Sequence, residues 1–489
     1  MREPRLDAFR GGEYHAPLAK AFPYPGREMA KRSSVYVCQQ CGAQSAKWLG
    51  RCPECGEWNS LVEERLEAAA PREGGWSGVA RRESVPRDYR EVGIETEARV
   101  GTGIPGFDLV LGGGAVPGSL VLVAGEPGAG KSTLMLQVAA HLAADGPVLY
   151  VSGEESEAQL KMRGERLGID PKELLVFCET RLDGILQTCE RLAPRLLVVD
   201  SVQTVYSSRF SSAPGSVSQV REAAAQFLML AKASAAPVFL VGHVTKGGLI
   251  AGPKTMEHIV DAVVMLEGER FQALRIVRAL KNRFGPVSEL AVFEMRADGL
   301  AEVRNPSQHL LAERKSGASG SAVTATVEGT RPLLIELQAL VSPAAYGSGR
   351  RTAEGFDHNR LALLLAVIER RAGLEVGSRD VYVNVVGGVR ADEPAVDLSV
   401  AAAVASSLLD RPLPGDAVFV GELGLGGEVR SVAAADLRCR EAALMGMGRI
   451  YLPQRNAVAL EKAGVADVEL HPVVSLAQIL EDLFPEAQS

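Results

Sequence analysis

The sequence contains no uninterrupted apolar run that approaches the roughly 18 residues of a membrane span, and its N-terminus lacks an apolar signal-peptide core. These absences predict a cytoplasmic chain with no membrane partner. A net positive charge is also missing, because the formal charge of the 489 residues is −7 at pH 7. Any contact with nucleic acid must therefore come from local basic loops on an acidic body.

Cysteines are few, and their odd number, seven, does not suit a disulfide scaffold. Four of them form two C-x-x-C pairs, Cys38 with Cys41 and Cys52 with Cys55, separated by ten residues. Two such turns can present four thiolates to one Zn²⁺ in a closed tetrahedral site. A redox pair is the alternative for a single C-x-x-C, but two pairs in tandem disfavour it. The pattern predicts a structural zinc ribbon over residues 29–62.

Two tryptophans, Trp48 and Trp58, belong to this small module. We predict that they pack on it as core-filling side chains. The alternative is that they form a platform on which nucleic-acid bases stack. On either side of the module, residues 1–28 are predicted to be a disordered extension and residues 63–90 a linker, since neither segment has an apolar period.

An eight-residue segment further along matches every fixed position of the phosphate-binding pattern G-x-x-x-x-G-K-[ST]. The apolar run 120–124 leads into it and a good helix follows over 133–142, which is the strand–loop–helix context that the pattern requires. Its glycines let backbone N–H groups point at phosphates, while the lysine reaches the β/γ oxygens and the serine hydroxyl ligates Mg²⁺. The predicted nucleotide-binding residues are Gly125, Glu126, Pro127, Gly128, Ala129, Gly130, Lys131, Ser132 and Thr133.

Three more short apolar runs, 148–151, 195–200 and 237–243, alternate with helical segments downstream of this loop. Such alternation is typical of a parallel α/β sheet. Ligands bind at the carboxyl ends of parallel strands, so we expect the three tips to converge on the triphosphate.

The residues at these tips are candidates for catalysis. Asp200 follows an apolar run, which is the position of a Walker B acid that holds Mg²⁺. The alternative is an ordinary turn, because many strands end in an aspartate. Glu154 is the favoured general base for the attacking water, and its neighbour Glu155 is a rival. His243 is placed to contact the γ-phosphate and report its loss. The alternative is a histidine in the core or in a turn whose hydrogen bonds are all made within the protein.

Two loops suit the binding of a charged polymer. The segment 207–218 is rich in Ser, Gly and Pro and contains Arg209, and the segment 245–254 is glycine-rich and contains two lysines. Mobile, basic, glycine-bearing loops can follow the backbone of a single strand. Each segment taken alone is more often an ordinary surface loop.

Further motifs resemble a known family. The segments 102–108 and 111–114, together with the phosphate loop, resemble the RecA/KaiC-type ATPase core. The order of zinc ribbon, ATPase core and the pentapeptide Lys-Asn-Arg-Phe-Gly at 281–285 resembles the RadA (Sms) family of bacterial DNA repair proteins, from about Met29 to the C-terminus.

The resemblance implies a DNA-dependent ATPase and helicase that drives branch migration on single-stranded DNA during homologous recombination and DNA repair. It further implies a homohexamer, branched recombination intermediates as substrates and the RecA recombinase as a partner. The implied roles are catalysis by Lys131, Glu154 and Asp200, with Ser132 and Asp200 holding Mg²⁺. Lys281 and Arg283 would act on the γ-phosphate from the neighbouring subunit, or couple it to DNA.

The C-terminal third follows a predicted ATPase core at 91–312 and a linker at 313–328. Its segments 392–397 and 421–430 resemble the catalytic domain of Lon protease. Ala395 occupies the position of the Lon serine, and a gap-free alignment puts Asp436 at the position of the lysine. Without a hydroxyl and an amine there is no Ser–Lys nucleophile, so residues 329–489 are predicted to be a non-proteolytic scaffold.

This scaffold contains Arg351, Arg360, Arg370 and Arg371, which could give it a basic surface for DNA, although arginines on exposed helices are usually just solvated. The predicted fold is therefore α/β throughout the two larger parts, behind a Cys₄ zinc ribbon. Two alternatives to a DNA motor stay open, a KaiC-like nucleotide-driven hexameric scaffold and a Lon-type ATP-dependent protease.

Overall fold

The computed structural model describes residues 34–40, 42–65, 99–243, 256–268, 274–315, 317–344, 349–464 and 468–485. Four predictions lie outside these residues: the extension 1–28, the zinc ligand Cys41, most of the linker 63–90 and the lysine-bearing loop 245–254. Among the residues that are described, no helix is long and apolar enough to cross a membrane.

The N-terminal module is a three-stranded antiparallel sheet. Its strands are β1 (Ser34–Cys38), β2 (Gln44–Ser45) and β3 (Leu61–Arg65). Gly42 and Gly56 each follow the second cysteine of a pair, and their φ angles of +71° and +76° are those that glycine adopts without strain. Because β3 pairs with β1 along its whole length, the ribbon extends past the predicted boundary at residue 62, as far as Arg65.

A nine-stranded sheet forms the second domain. Its strands are β4 (Leu120–Gly125), β5 (Val148–Ser152), β6 (Leu174–Phe177), β7 (Leu196–Asp200), β8 (Val238–His243), β9 (Ala262–Glu267), β10 (Leu274–Asn282), β11 (Leu290–Arg296) and β12 (Gly299–Glu302). They lie in the order β12-β11-β10-β9-β4-β8-β7-β5-β6. From β9 to β6 the strands are parallel, and β10 to β12 continue the sheet in antiparallel fashion.

Every residue of β4, β5 and β7 is buried, as expected for parallel strands that helices cover on both faces. The helices are α1 (Pro105–Val110), α2 (Lys131–Leu142), α3 (Glu157–Arg166), α4 (Leu182–Leu192) and α5 (Val217–Ser234). Side chains of α1, α2 and α3 pack on one face of the sheet, and those of α4 and α5 pack on the other. The predicted strands agree with the observed ones to within a residue at each end.

The C-terminal domain has a seven-stranded mixed sheet and a small hairpin. The sheet consists of β13 (Ser321–Glu328), β14 (Arg331–Pro343), β15 (Arg351–Glu354), β16 (Arg379–Val385), β17 (Ala417–Phe419), β20 (Arg449–Pro453) and β21 (Glu469–Val473), and the hairpin of β18 (Glu422–Leu423) and β19 (Val429–Arg430). Helices α6 (Pro306–Leu311), α7 (His358–Ala372), α8 (Asp397–Leu409), α9 (Ala435–Leu444), α10 (Gln454–Ala463) and α11 (Leu476–Leu483) pack against the sheet.

The structure corrects the predicted linker at 313–328, because β13 lies inside it. This strand pairs with β14 residue by residue. The small side chains of this strand pack into the domain, since Ala322 and Ala325 are both fully buried. Even α6, inside the predicted ATPase core, contributes Leu310 to the C-terminal hydrophobic core. The C-terminal domain therefore begins earlier than its composition suggested.

Candidate nucleotide and zinc sites

The phosphate loop connects the buried end of β4 to the first residue of α2. Gly128 and Gly130 have φ angles of +86° and +108°, so the loop needs glycine at both positions. At Gly125 a Cβ atom would lie 2.4 Å from the carbonyl oxygen of Leu266, a contact that no side chain could make. Residues 126–128 are exposed at the top of the loop. The backbone therefore forms an open, glycine-dependent cradle of the kind that phosphates occupy.

Lys131 is buried at the base of this cradle. Its ammonium group donates to the carbonyl oxygens of Gly125 and Glu126, each at 2.9 Å. Burial lowers the pKa of Lys131 to about 8, and the carboxylates of Asp200 and Glu154 oppose that shift. Triphosphate oxygens would give this ammonium charged partners in place of neutral carbonyls. Ser132 follows it, partly buried, in the first turn of α2.

Asp200 lies at the carboxyl end of β7 and is 7% exposed. One of its carboxylate oxygens accepts a hydrogen bond of 2.6 Å from the hydroxyl of Tyr150, which is fully buried on the neighbouring strand β5. Burial, the charge of Asp200 and this hydrogen bond all raise the pKa of Tyr150 well above its usual range, so the tyrosine stays a donor. Tyr150 thus orients the carboxylate, a role that sequence reasoning missed because it depends on the order of strands.

Glu154 and Glu155 point to different partners. An Oε atom of Glu154 accepts a hydrogen bond of 2.5 Å from the hydroxyl of Ser201, the residue after Asp200, and lies 3.2 Å from Nε2 of His243. Glu155 instead forms an ion pair with Arg163 of α3. The structure therefore brings Glu154 together with the tips of β7 and β8, as the convergence of strand ends predicted, and turns Glu155 towards a helix.

Arg275 is a further residue of this site that the sequence did not single out. It lies on β10, is 3% exposed, and its Nε donates to the carbonyl oxygen of Ala129 in the phosphate loop at 3.1 Å. Burial lowers its pKa. An arginine inside the apolar run of a strand was the available signal, but the sequence alone does not reveal that β10 passes beneath the loop.

Lys281 and Arg283 lie at the other end of the strands, beside the amino ends of β4 and β9, whereas the phosphate loop follows the carboxyl end of β4. Arg283 pairs with Asp261 at 3.2 Å, and the Asp261 carboxylate accepts from the backbone N–H of Leu120, the first residue of β4. The Lys281 ammonium donates to the carbonyl oxygen of Val260 at 2.8 Å. Six strand residues, roughly 3.3 Å apart, separate this end from the phosphate loop. Neither cation can reach the phosphate loop of its own chain.

The zinc ribbon brings three of its predicted ligands together. The sulfur atoms of Cys38, Cys52 and Cys55 all lie within 4.8 Å of one another, as ligands of one ion must. The fourth predicted ligand, Cys41, lies outside the described residues. The Cys38 thiol donates to the hydroxyl oxygen of Ser60 at 3.1 Å, and that hydroxyl donates to the carbonyl oxygen of Glu57 at 3.2 Å. The donor set fits Zn²⁺.

The ribbon contacts the ATPase domain at the first turns of α5. The hydroxyl of Ser218 donates to Glu64 at 2.7 Å, and Arg221 donates to the carbonyl oxygen of Gly42 at 2.8 Å. Glu64 is 3% exposed, and an acidic group is favourable at the N-terminus of a helix. The zinc knuckle therefore rests on the helix that begins where the predicted polymer-binding loop 207–218 ends.

That loop is more ordered than its composition suggested. Gln219 of α5, which is 1% exposed, donates to the carbonyl oxygens of Ser207, Phe210 and Ser212. Arg209 is half-exposed and forms an ion pair of 2.7 Å with Glu222.

Family models match two parts of the chain. A model described as an AAA domain matches residues 95–249, which include the phosphate loop, Asp200 and His243. A model described as a rubredoxin metal binding domain matches residues 36–63.

Relatives match along almost the whole chain. The DNA repair protein RadA of Bacillus subtilis (strain 168) is 49% identical over 448 residues, which are 90% of this chain and 98% of that protein. The chain belongs to the RadA family of DNA repair proteins. Another RadA, from Listeria monocytogenes serovar 1/2a, is 48% identical over 94% of this chain and 99% of its own length. Among solved structures, a KaiC-like protein of Pyrococcus horikoshii OT3 covers 42% of this chain and 98% of its own, with 22% identity and a TM-score of 0.35.

The two matched domains and the cysteine cluster identify the cofactors. The ATPase domain uses ATP with Mg²⁺, and the ribbon with its cysteine cluster binds Zn²⁺. The zinc-ribbon and P-loop ATPase parts of the predicted fold are confirmed.

The position that would hold a nucleophile in the C-terminal domain of this RadA-family chain contains only a methyl group. Ala395 is 4% exposed and belongs to an apolar cluster that includes Cys439 and Ala442 of α9. Asp436 lies in the first turn of the same helix. Two of the arginines expected on a basic surface are structural: Arg360 pairs with the fully buried Asp397, and Arg351 donates to the carbonyl oxygens of Arg379 and Gly377.

Proposed function

We propose that this chain is a DNA-dependent ATPase that acts as a motor on single-stranded DNA, with branch-migration or helicase activity on branched intermediates of homologous recombination and repair. The contact between Glu154 and His243 carries the proposal, because it links the candidate base to the end of β8, and in the sequence β8 precedes the segment 245–254 that is predicted to bind DNA. Asp200 is connected along the chain to the loop 207–218, through the single helical turn Val202–Thr204. Both proposed DNA-binding loops thus start from residues around the triphosphate.

The roles follow from the chemistry of the side chains. Lys131 and the loop N–H groups would hold the phosphates, and Ser132 with Asp200 would hold Mg²⁺, which neutralises charge on the transferred group. Glu154 would accept the proton of the attacking water. His243, in contact with Glu154, would sense the γ-phosphate and pass its loss to the loop that follows.

Lys281 and Arg283 would complete the site of a neighbouring subunit, since they lie far from their own phosphate loop. Cations supplied in trans stabilise the transferring phosphoryl group and make hydrolysis depend on assembly. This supports a ring, proposed as a homohexamer. Lys281→Ala and Arg283→Ala should keep nucleotide affinity nearly intact and reduce hydrolysis, whereas Lys161→Ala, on the exposed side of α3, should change neither. Equal loss of nucleotide binding would refute the role in trans.

The direct test is strand exchange on a three-strand DNA intermediate, with the RecA recombinase as the proposed source of that intermediate. We expect ATP-dependent movement of the branch by the purified chain, and none by Lys131→Ala. A chain that assembles on ATP but leaves the branch in place would favour the KaiC-like scaffold.

The Lon-like half would then serve as a scaffold in the ring. Burial of the Ala395 methyl group among apolar side chains favours this role over that of an ATP-dependent protease. Degradation of casein by the purified protein, abolished by changes in the C-terminal domain, would instead support an ATP-dependent protease.

A further inference from the structure

The zinc ribbon has two exposed tryptophans, contrary to the prediction that they fill its core. Trp48 is 54% exposed and Trp58 is 66% exposed. The ribbon core is built without them, from Cys38, Cys52 and Leu61 with Tyr36, Ala43 and Leu49 packed around. Two large apolar side chains left in solvent on so small a module are typical of a binding surface.

The two indoles border one glycine. A Cβ atom on Gly50 would lie 3.6 Å from Cη2 of Trp48 and 3.9 Å from Cζ3 of Trp58. The missing side chain leaves the surface beside both rings open. The two rings therefore flank one point of the surface, and a flat group placed there would contact both indoles.

Cationic groups accompany the indoles. The guanidinium of Arg51 lies 5.8 Å from the ring centroid of Trp58, and its Nε donates to the carbonyl oxygen of Gly56 at 2.8 Å. Lys47, next to Trp48, is exposed. Glu54 and Glu57 are exposed on the same module, so its charge is mixed. A ligand must therefore be bound mainly by stacking of its flat groups on the indoles, and charge attraction contributes less.

The ribbon is also attached next to the proposed DNA-binding loop. Glu64 and Gly42 fix it to Ser218 and Arg221, in the first turns of α5. A ligand that follows the loop 207–218 therefore reaches a helix that bears the ribbon. Single-stranded nucleic acid combines the two required properties, since its bases present flat π-faces and its backbone presents phosphates.

We propose that Trp48 and Trp58, with Arg51 beside them, form a platform on which bases of single-stranded nucleic acid stack. The inference rests on the proposed function, because it adds a second contact area for the same DNA. It assigns to the ribbon a direct part in binding, in addition to its metal-dependent fold.

The test is the affinity for a labelled oligothymidylate, measured by fluorescence anisotropy at several salt concentrations. Trp48→Ala and Trp58→Ala should each weaken binding roughly 5- to 140-fold, the range for loss of one stacked base. Trp48→Phe and Trp58→Phe should restore most of the affinity, because phenylalanine keeps a ring. The slope of log affinity against log salt should stay as in the wild type, since no phosphate contact is removed.

Controls separate stacking from misfolding and from assembly. Bound zinc and hydrolysis without DNA should be unchanged in all four variants, and Met162→Ala, which removes a side chain 63% exposed on α3, should bind as the wild type does. If the alanine variants bind the oligonucleotide with the same affinity as the wild type, the proposed platform is wrong. A changed oligomer mass would also overturn it, because it would indicate that the indoles face another subunit. If the wild type itself fails to bind the oligonucleotide, the proposed function fails instead.

Discussion

The carboxyl edge of the ATPase sheet and the turn at the start of α8 in the C-terminal domain both contain positions that sequence resemblance compared with catalytic residues, but their surroundings differ. At the sheet edge, the side chains of Glu154 and His243 touch each other and remain 43% and 35% exposed. At the turn, Ala395 is enclosed in an apolar cluster and Asp397 is fully buried. The partly exposed Glu154–His243 pair at the sheet edge is open to a ligand, whereas the buried carboxylate of Asp397 is bound by partners inside the protein.

The charged residues of the C-terminal turn illustrate the second case. Asp397 accepts from Nε of Arg360 at 3.0 Å and from the backbone N–H of Leu423 at 3.0 Å. Glu393 accepts from Arg438, which is only 2% exposed, at 2.6 Å and 2.8 Å. These pairs connect the turn to α7, α9 and the hairpin. Asp397 and Glu393 are therefore held by partners inside the domain.

The sharpest test of the comparison is at the sheet edge. Glu154→Gln should lower kcat for ATP about 10²- to 10⁴-fold, because it removes the proposed general base, with the melting temperature nearly unchanged. Glu155→Gln is the matched control and should retain most of the activity. Steady-state hydrolysis together with thermal unfolding measures both effects. A larger loss in Glu155→Gln would exchange the roles of the two residues.

The reverse pattern is expected at the turn. Asp397→Ala should destabilise the C-terminal domain by about 3–5 kcal/mol, because it leaves Arg360 partly buried without its partner. Asp392→Ala removes an acid that is 54% exposed and pairs at the surface with Arg390, so it should cost less than about 1 kcal/mol. Denaturant unfolding followed by circular dichroism measures both. Similar small losses would show that the Asp397 pair does not stabilise the fold.

The pH dependence of ATP binding sharpens the description of the sheet edge. The pKa of Lys131 is about 8 in the free protein, and phosphate oxygens should raise it. ATP binding should then take up a proton near pH 8 and above, and affinity should fall several-fold as pH rises from about 8 to 9. Calorimetry in buffers of different ionisation enthalpy measures the uptake. Affinity that stays flat over this range would contradict a buried, depressed lysine.

The same lysine has a predictable effect on folding. Burial holds its pKa at about 8, below the 10.5 of an exposed lysine, so the unfolded chain binds more protons between about pH 8 and 10.5. The contribution of Lys131 to stability therefore increases as pH rises through this window.

The smallest expected effect is at Ala395. Ala395→Ser supplies the hydroxyl of a Lon-type nucleophile, yet no amine stands at Asp436 to activate it, so casein should remain intact. The buried hydroxyl should cost about 1–3 kcal/mol of stability. Gel analysis of casein after long incubation, with wild type alongside, is sufficient. Cleavage by the variant would mean that another base lies within reach.

Short-range patterns predicted the parts of this fold that depend on local chemistry. The glycines and lysine of the phosphate loop, the apolar strands that precede Asp200 and His243, and the spacing of the cysteines all act over a few residues. Each of these signals appears in the structure at the predicted position, apart from Cys41, which lies outside the described residues.

Long-range contacts escaped prediction. Tyr150 reaches Asp200 only because β5 lies next to β7, and Arg275 reaches Ala129 only because β10 follows β9 in the sheet. The exposure of Trp48 and Trp58 was not predicted for a similar reason, since the core of the ribbon is formed by other residues. Small residues also misled the linker assignment at 313–328, because alanine and serine suit a packed strand as well as a linker.

The central claim is that DNA regulates the ATP site formed at the sheet edge. The most direct measurement is steady-state ATP hydrolysis by the purified protein with and without single-stranded DNA, with Lys131→Ala as the control. The account predicts clear stimulation by DNA, and a loss of about 100-fold or more in the variant under both conditions. A wild-type rate that is indifferent to DNA would contradict the account and favour a nucleotide-driven scaffold.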